Sequence, residues 1–253
     1  MIQLYSLKMD RELKEPERQQ IMNIVTPERK AKALRFRRFE DQCRGLATGL
    51  LESYVCRKEF GITNLAGNIG LGEQGKPYII GQEETDYHYN ISHSGVWIVC
   101  GASRTALGVD VEQEAKYREQ VVSRFFPEQE KNDILERAEA ERPKVFAEYW
   151  TMKESVMKYT GLGFTLPIRQ FLTNRENGQV EFLWDSEKNE AWQKKLLEQG
   201  ISTGTMPVCQ VFTLEPGYAC SVCSGQREPV NQIFVTVEGC LQELLKATHR
   251  QSG

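Results

Sequence analysis

The first quarter of the chain carries the apolar pattern of a strand followed by a long helix. The first ten residues alternate in polarity, with Ile2 and Leu4 among the apolar positions, as in a half-buried strand. Thr26-Pro27-Glu28 has the composition of a helix start, because threonine caps helices and proline suits the first helical position. Apolar residues then recur at roughly helical spacing as far as Gly61, so one helix is predicted up to that glycine.

The remaining chain alternates between strand and helix patterns. Two strands are predicted between residues 87 and 102, joined at Ser92-His93-Ser94-Gly95, and a third strand is predicted over 107–112. This alternation of strands and helices predicts an α+β fold. The further segments are helices over 127–137 and 143–159, a helix with a loop over 185–205, strands near 210–214, 217–222 and 232–237, and a helix over 240–248.

A faint internal repeat divides the chain. Several residues recur 100 positions later, as two similar halves would leave behind. We therefore predict two similar α+β halves related by pseudo-twofold symmetry, residues 1–104 and 105–253, with the active site at their seam. The matching residues are Pro27, Glu28, Arg37, Ala47, Lys58 and Gly61 with Pro127, Glu128, Arg137, Ala147, Lys158 and Gly161.

Composition and charge exclude several classes of protein. With 32 basic and 35 acidic residues the net charge is −3, whereas proteins that coat duplex nucleic acid are normally basic. No run approaches the roughly 18 apolar residues of a membrane helix. Seven scattered cysteines, and an N-terminus that becomes charged too early for a signal peptide, predict reduced thiols in a cytoplasmic protein. Cys220-Ser-Val-Cys223 lies in a strand pattern, which favours packing over zinc or redox chemistry.

The segment from Leu107 to Glu112 is the sharpest local pattern with chemical content. In a strand its apolar residues share one face, and Asp110 and Glu112 share the other, roughly 6–7 Å apart. Carboxylates at that spacing suit a Mg²⁺ ion that also binds phosphate oxygens. The ordinary alternative is a half-exposed strand whose outer face is acidic.

A second pattern lies on the long helix of the second half, in Trp150-Thr-Met-Lys-Glu-Ser-Val-Met-Lys158. Glu154 and Lys158 are four residues apart and therefore lie on one helix face. They form either an ordinary surface ion pair or a catalytic set. In the catalytic set Glu154 is a metal ligand or base and Lys158 donates to phosphate.

Three further patterns favour phosphate binding, each with an ordinary alternative. Asn90-Ile-Ser-His-Ser-Gly95 places a histidine between serines without the GxSxG elbow of a hydrolase, so it is either a phosphate contact or a turn. Between Arg29 and Arg44 seven cations accompany two acidic residues, which is typical of a solvated helix face or of a phosphate-binding patch. Lys76, held between Gly75 and Pro77, suits a point contact to phosphate.

Taken in order, these segments resemble the 4′-phosphopantetheinyl transferases, in particular the long single-chain type that activates surfactin synthetase. The resemblance runs from Met1 to about Val222 and rests on Gly75-Lys76-Pro77, Asn90–Ser94, Gly108–Glu112 and Trp150–Lys158. It implies transfer of the phosphopantetheine arm of coenzyme A to a serine hydroxyl of an apo peptidyl or acyl carrier protein, with release of adenosine 3′,5′-bisphosphate. It also implies a monomer, because two similar halves form one site.

The resemblance further implies roles for individual residues. Asp110, Glu112 and Glu154 would hold Mg²⁺, with Mn²⁺ as an alternative. The base that deprotonates the serine would be Glu154, or else Glu112, and Lys158 would stabilise the developing charge. The coenzyme A contacts implied are Arg29, Lys32, Arg38, Lys76, Pro77, Ser92, His93 and Lys158.

One position departs from the family pattern, and two other functions stay open. Gly45 stands where the family often carries threonine, so that hydroxyl contact to phosphate is missing. The carrier would dock around Lys116 to Phe126 and along the Met157 side of the long helix. The alternatives are a non-catalytic relative that binds coenzyme A or a carrier, and a Mg²⁺-dependent phosphohydrolase that uses water as its acceptor.

Overall fold

The computed structural model describes residues 1–81, 86–183, 186–198 and 206–250. Its strands are β1 (Ile2–Lys8), β2 (Ile69–Leu71), β3 (Pro77–Ile79), β4 (His88–Ser94), β5 (Trp97–Ser103), β6 (Leu107–Gln113), β7 (Phe171–Thr173), β8 (Val180–Phe182), β9 (Val208–Thr213), β10 (Tyr218–Ser224) and β11 (Val230–Val235). Its helices are α1 (Glu15–Ile24), α2 (Pro27–Leu34), α3 (Phe39–Phe60), α4 (Glu119–Phe125), α5 (Glu128–Leu135), α6 (Arg142–Thr160), α7 (Ser186–Glu198) and α8 (Val237–Arg250).

Each half contains three antiparallel strands, and the three strands pair in the same order in both halves. In the first half β1 pairs with β5, and β5 pairs with β4; in the second half β6 pairs with β10, and β10 pairs with β9. The long helices α3 and α6 end in the same way, at Gly61 and Gly161, whose φ angles of 72° and 70° lie in the left-handed region that favours glycine. The predicted α+β fold with two similar halves is confirmed.

The halves meet where β4 and β5 lie against β6. The backbone N–H of Val109 donates to Asn90 Oδ1 at 2.8 Å, which fixes β6 beside β4. One apolar cluster crosses this seam, because Leu4 and Val99 of the first half pack with Val109 and Val222 of the second. The residues that border the seam are therefore held by both halves.

The end of the chain returns to the first half. Strand β11 pairs in parallel with β1, and α8 contributes Cys240, Leu241 and Leu244 to the core around α3. The division of the chain at residue 104 stays a prediction, but in space the last strand and helix lie with the first half. None of the described helices is long and apolar enough to cross a lipid bilayer.

Most predicted elements are confirmed, and the helices of the first half differ from the prediction in two ways. The predicted helix from Thr26 to Gly61 is two helices, because α2 ends at Leu34 and α3 begins at Phe39. Helix α1 was not predicted, since Ile21 is its one fully buried residue and the apolar pattern is correspondingly weak. Helix α7 confirms the helix predicted within 185–205, whereas residues 199–205 lie outside the described residues.

The cysteines pack as the sequence predicts. All seven are free and buried, and Cys220 and Cys223 of the CxxC segment contribute to the apolar clusters on the two faces of β10. Their alternation on a buried strand explains the spacing without metal or redox chemistry.

Gly108→Ala is expected to destabilise the protein because β6 touches the backbone of α6 at this glycine. A Cβ there would lie 2.0 Å from the carbonyl oxygen of Ser155 and 2.4 Å from the amide nitrogen of Tyr159. No rotamer change relieves a clash with backbone, so we expect the free energy of unfolding to fall by about 2 kcal/mol or more. Urea unfolding measures this, with Gly72→Ala as the control, since a Cβ at Gly72 would make only an ordinary contact at 3.6 Å. Equal stability of the two variants would contradict the close approach.

Candidate active site

The acidic strand β6 has the two-faced arrangement that its sequence predicts. Leu107, Val109 and Val111 are buried in the apolar cluster at the seam. Asp110 lies on the opposite face and is only 5% exposed, while Glu112 is half-buried. The alternative of a half-exposed strand is therefore wrong for Asp110, whose carboxylate is held inside the protein.

Two serines of β4 hydrogen-bond the two carboxylates of β6. Ser92 Oγ donates to Asp110 Oδ1 at 2.6 Å, and Ser94 Oγ donates to Glu112 Oε1. Residues i and i+2 of a strand share a face, so the same spacing of two on both strands brings both pairs together. His93, between the serines, points the other way and is exposed.

The position of these serines corrects the predicted turn. Ser92 and His93 lie within β4, paired with Val99 and Ile98 of β5, and the turn falls at Gly95 and Val96. Gly95 has a φ of 55°, a conformation that glycine adopts readily and that the other residues of the segment do not. Ser92 is thus a strand residue with its hydroxyl directed at Asp110.

Lys158 of α6 joins this cluster. Its Nζ donates to Asp110 Oδ1 at 2.6 Å, to Ser92 Oγ at 2.9 Å and to the carbonyl oxygen of Val109 at 3.2 Å. The surface ion pair with Glu154, four residues earlier, is not among its contacts. The ammonium reaches across to β6 instead, because Asp110 offers a buried carboxylate with a fixed partner.

Glu154 stands beside the cluster without a hydrogen bond or ion pair to any described residue. Burial, followed by the charge of Asp110, raises the pKa of Glu154 to about 7, although Lys158 opposes the shift. Burial likewise raises the pKa of Asp110, against the charge of Lys158. A carboxyl group with a pKa near neutrality is suited to accept a proton from a substrate hydroxyl.

Three carboxylates in one place fit a hard cation by their chemistry. Asp110 and Glu112 are close enough to Glu154 for both charges to raise the pKa of Glu154, and oxygen donors are what Mg²⁺ prefers. The side chains are not arranged as ligands, since Asp110 engages Lys158 and Glu112 Oε1 lies 3.0 Å from Lys116 Nζ. In the described part of the chain no three His, Cys, Asp or Glu side chains, these three included, already stand in the arrangement of a metal site.

Several cations surround His93. Desolvation by the protein around the ring, followed by the charges of Arg44 and Lys158, lowers the pKa of His93 although the residue is exposed, and Lys116 and Arg29 act in the same direction. The imidazole is therefore neutral near neutral pH, and the positive charge around it comes from lysine and arginine. Such a cluster at the edge of an otherwise acidic protein is suited to a ligand with several phosphate groups.

The predicted basic residues of the first half divide into two kinds. Arg29 is tied to the buried Glu52 of α3, with Nη2 at 2.7 Å from Oε2. Lys32 on α2 and Arg38, which precedes α3, are exposed. The structure thus fixes Arg29 and leaves the other two at the surface.

Lys76 lies at the seam together with Pro77, the first residue of β3. Its Nζ donates to the carbonyl oxygens of Leu107 and Tyr159, at 3.3 Å each. Burial lowers the pKa of Lys76 to about 8. Lys76 therefore connects the loop before β3 to both β6 and the end of α6. These two elements carry Asp110, Glu154 and Lys158.

Gly45 has a structural reason to differ from threonine. A Cβ at Gly45 would lie 2.9 Å from the Cβ of Ala33, so the glycine lets α2 pack closely on α3. Residues 35–38 separate the two helices that pack at this contact.

The sequence patterns missed one charged residue of this region. Glu52 is 4% exposed and accepts hydrogen bonds from Arg29 and from Tyr89 of β4. The available signal was its position, because a glutamate interrupts the apolar spacing of α3 between Leu51 and Val55. A carboxylate at such a position needs a buried partner.

Comparison with known proteins gives two family matches in succession. Residues 13–105 match the model described as 4′-phosphopantetheinyl transferase, N-terminal, and residues 106–223 match that of the 4′-phosphopantetheinyl transferase superfamily. A 4′-phosphopantetheinyl transferase of Bacillus subtilis is 33% identical over 180 residues, 71% of this chain and 80% of the relative. The 4′-phosphopantetheinyl transferase Sfp of Bacillus subtilis (strain 168) is 29% identical over 242 residues, 95% of this chain and 100% of the relative.

Proposed function

The chain belongs to the 4′-phosphopantetheinyl transferases, which transfer the phosphopantetheine arm of coenzyme A to a carrier protein, and we propose that the seam between its halves is the catalytic site. The observation that carries this proposal is the cluster of Asp110, Ser92 and Lys158, with Glu154 beside it and bonded to none of the described residues. Strands β4 and β6 and helix α6 thus bring two carboxylates, a hydroxyl and an ammonium group together at the seam. Both halves of one chain supply the site, which supports a monomer.

The proposed step is an in-line displacement at phosphorus. The serine oxygen of the carrier forms a bond to the phosphorus that bears pantetheine, and the bridging P–O bond of the pyrophosphate breaks. Adenosine 3′,5′-bisphosphate leaves with the bonding electrons. Glu154 accepts the serine proton in our proposal, because its carboxylate lies beside Asp110 and Lys158 without being bonded to either, and Glu112 is the second candidate.

Cations of the chain hold the ligand and meet the negative charge that develops. Lys158 is held by Asp110 at the centre of the site, where its ammonium would stabilise the leaving phosphate. Asp110, Glu112 and Glu154 would hold a Mg²⁺ or Mn²⁺ ion, which when bound would neutralise pyrophosphate oxygens. The further contacts proposed for coenzyme A are Arg29, Lys32, Arg38, Lys76, Pro77, Ser92 and His93.

We place the carrier at α4 and the short segment before it. Phe125 is 42% exposed, with the guanidinium of Arg124 lying 5.4 Å from its ring centroid, and Lys116 is exposed nearby. Apolar and cationic groups side by side suit a carrier whose modified serine precedes an acidic helix. Met157 is only 1% exposed, so its side chain does not contribute to this surface.

The seven free cysteines support a cytoplasmic location.

The intact mass of an apo carrier protein tests the proposed function. After incubation with this protein, coenzyme A and Mg²⁺, the carrier is expected to gain the mass of one phosphopantetheine arm. EDTA is expected to prevent the gain, and a carrier with its acceptor serine replaced by alanine is the control. No gain with any peptidyl or acyl carrier would contradict the proposal, and release of adenosine 3′,5′-bisphosphate without a carrier would favour a phosphohydrolase.

A further inference from the structure

Arg29 is seated in a groove that the chain builds for it. Its aliphatic stem crosses α3 at Gly49, where an added Cβ would lie 2.7 Å from Arg29 Cγ and 2.7 Å from Val25 Cγ1. The backbone N–H of Arg29 donates to the Oγ1 of Thr26, which caps α2. The backbone of Arg29 and the aliphatic part of its side chain are therefore both held in place, independently of the contacts of the guanidinium.

Glu52 fixes the guanidinium by one edge. Arg29 Nε and Nη2 both donate to Glu52 Oε2, at 3.0 and 2.7 Å, while Tyr89 Oη donates to Glu52 Oε1 at 2.9 Å. Burial and the Glu52 charge raise the pKa of Tyr89, so the phenol remains a donor. These bonds use two of the five guanidinium N–H groups, and the remaining three, on Nη1 and Nη2, form a second edge.

Arg29 is one of the cations whose charge acts on His93. The Arg29 side chain is 20% exposed, so it reaches solvent, and its charge acts on His93 together with that of Arg44. Tyr89 lies on β4, three residues before Ser92, so the strand that presents Ser92 and His93 also holds Glu52. One network thus relates the orientation of Arg29 to the strand at the centre of the seam.

We propose that Glu52 is a positioning residue that directs the free edge of Arg29 at the 3′-phosphate of coenzyme A, so that the protein discriminates ligands with that phosphate from ligands without it. The inference rests on the proposed function, in which Arg29 contacts the ligand. A guanidinium fork matches two oxygens of a phosphate monoester, and it binds most strongly when its orientation is set beforehand. Glu52, a buried carboxylate bonded to both Arg29 and Tyr89, sets the orientation of the guanidinium.

Stability alone is a weak reason for this network. A buried ion pair contributes little to folding compared with apolar residues of the same size, because both charges lose their water. The sequence nevertheless places glutamate on the apolar face of α3 and glycine one turn earlier, at Gly49. Both residues serve the placement of Arg29.

Calorimetric titration with two nucleotides tests the inference without requiring transfer. Adenosine 3′,5′-bisphosphate carries the phosphate in question, and adenosine 5′-monophosphate lacks it. The unsubstituted protein is expected to bind the bisphosphate more tightly, and Glu52→Gln is expected to weaken bisphosphate binding about tenfold while leaving monophosphate binding unchanged. Glu52→Asp keeps the negative charge but moves the carboxylate away from Arg29 by the length of one methylene. This variant is expected to bind the two nucleotides as Glu52→Gln does, and it replaces Glu52→Gln in the test if Glu52→Gln does not fold.

The matched control is Glu148→Gln, which alters another partly buried pair. Glu148, on α6, binds Nη1 of Arg175, which follows β7, and neither residue belongs to the proposed site. This variant is expected to bind both nucleotides as the unsubstituted protein does. Equal weakening of both nucleotides by Glu52→Gln, full bisphosphate affinity in Glu52→Asp, or no preference in the unsubstituted protein would each overturn the inference. Failure of the proposed function would appear separately, as absence of carrier modification.

Discussion

Asp110→Asn is expected to reduce phosphopantetheine transfer about 10³-fold or more, the size of effect that loss of one preorganised electrostatic contact produces. The substitution keeps the volume of the side chain and an oxygen that accepts from Ser92. It removes the charge that Lys158 contacts at 2.6 Å, and with it a proposed metal ligand. The measurement is the rate of carrier modification by mass spectrometry, with far-ultraviolet circular dichroism to verify that the variant is folded.

The control for Asp110→Asn is Asp133→Asn. Asp133 also accepts hydrogen bonds, from Arg137, Arg175 and Tyr149, but it lies on α5 outside the cluster at the seam. Its asparagine variant is expected to retain transfer activity. A folded Asp110→Asn protein with full activity would contradict the central place we give to this carboxylate.

The sequence predicted Asp110 and its strand because the decisive pattern is local. Apolar and acidic residues alternate strictly from Leu107 to Glu112, and a strand of that pattern has one possible buried face. The two similar halves were predictable for a related reason, since Gly61 and Gly161 mark equivalent helix ends. The order of the motifs then indicated the family, which the comparisons show.

The partners of the charged side chains were less predictable, because they are set by contacts distant in sequence. Helical spacing places Glu154 next to Lys158, yet Lys158 bonds Asp110 on another element, 48 residues away. A buried carboxylate attracts an ammonium more strongly than one that borders solvent. The packing of α2 on α3 is likewise set by residues apart in sequence, such as Ala33 and Gly45.

The burial of Lys153 depends entirely on contacts distant in sequence. It lies inside Trp150–Lys158, where helical spacing alone gives no sign that a lysine is buried. The structure places it at 0% exposure, with Nζ 2.9 Å from Glu130 Oε2 on α5. Burial lowers the pKa of Lys153 to about 8 and raises that of Glu130, each against the attraction of the partner.

Lys153→Met is expected to lower the free energy of unfolding by about 3–5 kcal/mol, because it leaves Glu130 charged and buried without its partner. The ammonium also donates to the carbonyl oxygens of Ile168 and Phe171, so the segment that leads into β7 loses two bonds with it. Glu130 Oε1 is bonded by the N–H and hydroxyl of Thr173. Urea unfolding measures the loss, and Lys131→Met is the control, since the exposed Lys131–Glu128 pair contributes less than about 1 kcal/mol.

The double variant Lys153→Met/Glu130→Gln separates the loss of attraction from the penalty of an unpaired charge. Glutamine can still accept from Thr173 and needs no counter-ion, so the double variant is expected to be more stable than Lys153→Met alone. Its free energy of unfolding should then exceed the value that adding the two single losses predicts. Strict additivity would contradict the direct pairing of the two charges, and a Lys153→Met protein as stable as Lys131→Met would contradict their burial.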